Sequence, residues 1–178
     1  QLGGCGTFLA PCRHRKVGHL LYASPAAGYG DSATPPFSEE QRIDQPRSLY
    51  AATKAANELM AHTYAHLYAL RATGLRFFTV YGAWGRPDMA LFKFTQAMLA
   101  GEPVDIYNHG EMARDFTYID DIVESSLSLS LRTPEADGSE AAHPICHIGR
   151  GKHGKTLAWA DGREGAPGDG AGVADATR

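Results

Sequence analysis

The 178-residue sequence has little cysteine, no long apolar run and no block of like charge. Its three cysteines form no C-x-x-C pair, and their odd number argues against a disulfide framework or a cysteine zinc site. No run approaches the roughly 18 apolar residues that a membrane-spanning helix needs, and no signal peptide is recognisable. The charged residues are scattered and sum to -3, so the sequence predicts no basic surface for binding nucleic acid. These absences predict a cytoplasmic protein without metal, nucleic-acid or membrane partners.

The order of the predicted elements is that of an α/β domain. Residues 17–23 and 73–80 are apolar runs of strand length, and Leu49 to about Leu70 has helical spacing without Gly or Pro. Ser48 is placed to cap this helix. A strand, a helix and a second strand in this order predict parallel strands joined by a crossover helix.

The flanking sequence predicts weaker elements. We expect a helix at 90–100, a strand at 104–107 and a helix after Asp120-Asp121, whose carboxylates suit a helix N-terminus. Three glycines and Pro11 interrupt the helical spacing of residues 1–14, so a frayed or broken helix is expected there.

The pattern with the clearest chemistry is Tyr50-x-x-x-Lys54 at the start of the long helix. Residues four apart lie on one helix face, so a phenol and an ammonium can share a site. The cation favours the phenolate, which makes Tyr50 a candidate general base. Alone the pattern is weak, because a tyrosine packed over a lysine stem is commoner. His62 and His66 are also four apart, but no Glu follows His62 as in zinc proteases, so no metal is predicted.

Four blocks in sequence order resemble the NAD-dependent epimerase/dehydratase family of extended short-chain dehydrogenases/reductases, and most of all its UDP-glucuronate 4-epimerases. These blocks are Ser48–Tyr64, Gly74–Gly82, Trp84–Ala90 and Arg114–Asp121. The resemblance implies a Rossmann-like parallel sheet with a small α+β substrate-binding part. The family's Gly-rich pyrophosphate turn would precede Gln1, and the chain lacks an initiator Met, so a C-terminal fragment without the first half of the sheet is expected.

The resemblance also implies a division of the chain. Residues 1–83 would be the C-terminal half of the Rossmann-like domain, carrying the Tyr-x-x-x-Lys helix. Residues 84–150 would be the substrate-binding region, with some strands returning to the sheet. The segment 151–178 is predicted to be a disordered tail, because its Gly, Ala and Asp residues offer no apolar period.

The activity that the resemblance implies is epimerisation at C4 of a UDP-sugar, UDP-glucuronate to UDP-galacturonate, through a 4-keto intermediate with NAD as cofactor. Tyr50 would take the proton of the 4-hydroxyl, and Lys54 would hold the nicotinamide ribose. The substrate would be bound by Thr79, Arg86 and Arg114, with Arg114 on the diphosphate. Family members also often form homodimers through the Tyr-x-x-x-Lys helix.

One departure from the family leaves alternatives open. The catalytic hydroxyl of the family should fall near position 25 or 27, and Ser24 is the only hydroxyl left in this stretch, so Ser24 is the predicted third catalytic residue. Adjacent residues of an extended strand point to opposite sides. Ala26 and Ala27, where dehydratases carry Asp-Glu, argue against a dehydratase. A noncatalytic or truncated remnant, or an epimerase of another sugar such as UDP-glucose, remain the alternatives, and this chain alone is expected to be inactive.

Overall fold

The computed structural model describes residues 2–29, 37–106, 109, 113–135, 142–149 and 154–155. The helices in these residues are α1 (Leu2–His14), α2 (Leu49–Tyr68), α3 (Ala90–Ala100) and α4 (Ile119–Ser130). The strands are β1 (Leu20–Pro25), β2 (Ala72–Phe77), β3 (Thr79–Tyr81), β4 (Ala113–Arg114), β5 (Phe116–Tyr118), β6 (Ile145–Ile148) and β7 (Gly154–Lys155), and a 3-10 turn, Ala26–Tyr29, follows β1. The described residues fall into two units, one within 1–77 and 126–148 and the other within 78–125 and 149–155.

The first unit contains the parallel sheet. Its strand order is β1-β2-β6, and β1 pairs with β2 from Leu20 opposite Ala72 to Pro25 opposite Phe77. Parallel strands joined through α2 confirm the predicted α/β fold. The first strand begins three residues later than predicted, because the chain turns at Lys16, where φ is 51°, and leaves Val17 exposed.

Helix α1 is continuous, so the expectation of a broken helix is wrong. Leu9 is 1% exposed and packs in a core cluster with Ala61 and Leu70. Burial of a leucine contributes about 1.5 to 3 kcal/mol, which offsets much of the unfavourable helix propensity of the glycines. Pro11 lies near the end of the helix, and its carbonyl still accepts a hydrogen bond of 2.8 Å from the amide of Arg15.

Helix α2 begins where the sequence predicts. Ser48 is extended, with φ at -140°, and its hydroxyl accepts a hydrogen bond from the amide of Ala51, as an N-cap should. The helix ends at Tyr68, because Ala69 adopts the left-handed conformation. Its buried face is mostly alanine, which lets the helix approach the sheet closely.

The second unit contains two small two-stranded sheets, β3 with β5 in parallel and β4 with β7 antiparallel. The predicted single strand at 73–80 is therefore wrong: β2 and β3 are separate strands in different sheets. The sequence of residues 73–80 does not show where the pairing partner changes.

Helix α3 matches its prediction at both ends, and its C-cap is Gly101. No strand forms at Val104–Ile106, and Tyr107, the end of that prediction, lies outside the described residues. Within the predicted tail, Gly154–Lys155 form β7, and its remaining residues lie outside the described part. The predicted domain boundary after residue 83 stays a prediction.

Candidate active site

The first turns of α2 carry the predicted proton-transfer pair. Tyr50 is 50% exposed, and its ring therefore remains open to solvent. Lys54, one turn further on, places Nζ 3.4 Å from the carbonyl oxygen of Ala23 in β1. The carboxyl ends of parallel strands are where ligands bind in open α/β sheets. The face of α2 that carries Tyr50 and Lys54 therefore lies at the edge of the sheet where a ligand is expected to bind.

Ser24 lies in β1 next to that contact, but its side chain is enclosed. It is 1% exposed and lies in register with Arg76 of β2, whose side chain reaches α2. Paired residues of neighbouring strands point to the same side of a sheet, so Ser24 points towards α2. Its hydroxyl has no hydrogen-bond partner among the described residues. Its catalytic role stays a prediction.

The three predicted substrate-binding residues lie in the second unit. Thr79 begins β3, and its amide donates a hydrogen bond of 2.9 Å to the carbonyl of Asp115. Arg86 is exposed and forms a two-pronged pair with Asp88, which lowers the pKa of that carboxyl. Arg114 is exposed on β4 and pairs with Gly154 of β7. Their roles stay predictions.

The sequence analysis missed a buried guanidinium at the end of β2. Arg76 is 4% exposed and makes two parallel hydrogen bonds to Glu58 of α2, Nε to Oε1 at 3.0 Å and Nη2 to Oε2 at 2.8 Å. Its Nη1 donates to the hydroxyl of Tyr29 and to the carbonyl of Glu39. A charged residue inside an apolar strand was the available signal, because a buried charge needs a partner.

Tyr29 extends this network. Its ring is 1% exposed and stacks on Phe37, and its hydroxyl donates to the carbonyl of Ser38 at 2.8 Å. His147 of β6 contacts the same hydroxyl through Nε2, and its amide donates to the carboxylate of Glu39. Burial raises the pKa of Tyr29 and lowers the pKa of His147. The guanidinium of Arg76 on β2 thus contacts three other segments of the first unit: α2, the 3-10 turn and the chain at Glu39.

The structure also bears on metals and membranes. Within the described ranges, no group of three or more His, Cys, Asp or Glu side chains is placed to hold a metal ion. None of the helices in the described part of the chain is long and apolar enough to span a membrane.

Comparison with known proteins identifies the family. Residues 4–142 match the model of the NAD dependent epimerase/dehydratase family. The chain belongs to this family. It is 63% identical over 137 residues to an uncharacterized 37.6 kDa protein of Escherichia coli O111:H-, covering 77% of this chain and 41% of that protein. It is 57% identical over 123 residues to a probable UDP-glucuronate 4-epimerase of Rhizobium meliloti strain 1021, covering 69% and 36%.

A solved structure agrees. The UDP-glucuronic acid 4-epimerase from Bacillus cereus, in complex with UDP-glucuronic acid and NAD, superposes with a TM-score of 0.75 at 31% identity, covering 86% of this chain and 46% of that one. The predicted family and its Rossmann-like α/β fold are therefore confirmed, and the family is NAD-dependent. This epimerase/dehydratase chain spans less than half the length of these relatives.

The described residues fit one end of NAD. The ammonium of Lys54 lies at the carboxyl end of β1, where it can donate to ribose hydroxyls, and Tyr50 beside it is accessible. The pyrophosphate of a dinucleotide binds at a Gly-rich turn between a strand and a helix. No G-x-G-x-x-G turn joins a strand to a helix within the described ranges. The described residues therefore offer a donor for a ribose of NAD but no turn for its pyrophosphate.

Proposed function

We propose that the protein containing this chain is an NAD-dependent 4-epimerase that interconverts UDP-glucuronate and UDP-galacturonate. The observation that carries the proposal is the Tyr50–Lys54 face at the carboxyl end of β1, with Lys54 against the carbonyl of Ala23. The names of the Rhizobium relative and the Bacillus structure support the choice of sugar. A cytoplasmic location and a homodimer through α2 are part of the same proposal.

Each residue has a distinct task in this proposal. Tyr50 accepts the proton of the sugar 4-hydroxyl and later returns it to the reduced carbon's oxygen. Lys54 holds the nicotinamide ribose one helical turn away from Tyr50. Bound NAD supplies a reversible hydride acceptor for C4. Arg114 offers an always charged, planar fork for the diphosphate, and Arg86 and Thr79 contact the substrate.

The second candidate is a noncatalytic remnant of an epimerase. Ser24, the remaining hydroxyl of its stretch, is enclosed on the α2 side of β1, and Ala26 and Ala27 supply no replacement. Loss of a positioned donor to the reacting oxygen can cost about 3 kcal/mol of barrier. An epimerase of UDP-glucose is the third candidate, because the described residues do not distinguish the substituents at C5 of the sugar.

The experiment is an assay of the 178-residue chain and of the longest open reading frame that contains it, with NAD and either UDP-glucuronate or UDP-glucose. Product sugars are separated by chromatography. We expect the longer protein to form UDP-galacturonate and the 178-residue chain to be inactive. In the longer protein, Tyr50→Phe should lower kcat by about 100-fold or more, because the general base is lost.

The matched control is Tyr68→Phe, which removes an exposed hydroxyl from the last turn of the same helix. It should leave kcat unchanged. A longer protein that binds NAD but is inactive on both sugars would establish the remnant, whereas turnover of UDP-glucose alone would replace the substrate.

A further inference from the structure

Arg76 connects the candidate proton-transfer helix to the sheet at one place. Glu58, its partner, lies one helical turn after Lys54 and two turns after Tyr50 on α2. Positions four apart share a helix face, so a two-pronged bond at Glu58 fixes the rotation of that face about the helix axis. Arg76 is in register with Ser24, the neighbour of the Ala23 carbonyl that Lys54 contacts.

The same guanidinium holds the chain that leaves β1. Through Nη1 it contacts the hydroxyl of Tyr29, at the end of the 3-10 turn, and the carbonyl of Glu39. The Tyr29 hydroxyl in turn donates to the carbonyl of Ser38. The two segments that flank positions 30–36 are therefore held by one side chain. A lysine in place of Arg76 could not make this planar set of contacts.

We propose that Arg76 is a positioning residue: through Glu58 and Tyr29 it holds α2 and the 3-10 turn so that Lys54 stays at the carboxyl end of β1. This role rests on the proposed function, since Lys54 there serves the ribose and Tyr50. Arg76 itself acts through Glu58 and touches no reacting atom. A buried ion pair is weak evidence for stability, because burial of two charges costs about as much as their attraction returns. Geometric specificity is the better account of the Arg76–Glu58 pair.

The test measures how well Lys54 is held, and needs neither substrate nor NAD. The intact chain is treated with an amine-acylating reagent under native conditions, and modification of Lys54 is quantified by mass spectrometry relative to Lys93 of the second unit. The buried thiol of Cys146 on β6 reports whether the fold is intact. The variants are Arg76→Met and the double change Arg76→Met/Glu58→Leu, which leaves no unpaired buried charge.

We expect the Lys54 to Lys93 ratio to rise about fivefold in both variants, the effect of losing one ordinary hydrogen bond, while Cys146 stays protected. If Arg76→Met exposes Cys146, the fold of that variant is disturbed, and the Lys54 to Lys93 ratio is then judged in the double variant instead. A double variant with protected Cys146 and an unchanged ratio overturns the proposal, and so does one that exposes Cys146, because the pair would then be needed for folding itself. A raised ratio in this chain, combined with no epimerase activity in the longer protein that contains it, would contradict the proposed function alone.

Discussion

An ion pair is buried in the first unit, whereas an ion pair in the second unit is exposed. In the first, the side chains of Arg76 and Glu58 are 4% and 10% exposed, and the pair joins a helix to the sheet. In the second, those of Arg86 and Asp88 are 75% and 57% exposed and lie two residues apart in the chain. Helix α2 buries one face, whereas α3 buries none of its side chains. The predicted proton-transfer residues therefore stand on a supported helix, and the predicted substrate residues Arg86 and Arg114 on exposed segments.

Breaking one ion pair in each unit should give the largest difference in unfolding free energy between the units. Arg76→Ala leaves the carboxylate of Glu58 buried without its partner, which is expected to cost about 3 to 5 kcal/mol of unfolding free energy. Arg86→Ala is the matched change at an exposed pair and should cost far less, because solvent screens exposed charges. Urea unfolding followed by circular dichroism measures both. Equal losses in the two variants would contradict the contrast between the units.

Truncation of one leucine in each unit should give the next largest effect. Leu9→Ala opens a cavity in the cluster with Ala61 and Leu70, and such cavities cost about 2 to 5 kcal/mol. Leu99→Ala, on α3, removes a side chain that is 85% exposed and should change stability by less than about 0.5 kcal/mol. The same unfolding experiment applies. A small loss for Leu9→Ala would show that α1 is not held by the core as described.

The sequence was informative where a pattern is local. The helix from Leu49 is set by its cap and its spacing, and the parallel pairing of β1 with β2 follows from the order of elements. Tyr50 and Lys54 share a face for the same reason. The end of β2 at Phe77 was missed, because the change of partner strand depends on residues far along the chain.

The misses share this long-range origin. Helix α1 is continuous because Leu9 packs on a helix some fifty residues away in sequence, and no propensity records that contact. The partners of Arg76 are likewise distant in sequence, with Glu58 18 positions away and Tyr29 47 positions away. The sequence could mark Arg76 as a buried charge in need of a partner, but it could not identify Glu58.

The smallest expected effect concerns a buried histidine of the first unit. The hydroxyl of Tyr22 and Nε2 of His143 form a hydrogen bond of 2.6 Å, and the two rings stack. Burial, and to a smaller extent the nearby His62, lowers the pKa of His143 from its ordinary value near 6.5 to about 4. A buried imidazolium would lose its hydration, so the folded chain disfavours protonation of His143.

Acid should therefore weaken the first unit through His143. Between pH 6.5 and 4 the unfolded chain binds a proton that the folded chain does not, so the unfolding free energy falls as the pH falls, by about 1 kcal/mol at pH 5.5. His143→Gln removes the titrating group, keeps a hydrogen-bonding side chain beside Tyr22, and should flatten the dependence of the urea midpoint on pH. His66→Gln, an exposed change on α2, should leave the dependence as in the parent chain. If both variants keep the parent's pH dependence, His143 does not carry the acid sensitivity, and other buried groups of the first unit such as His147 must be tested in its place.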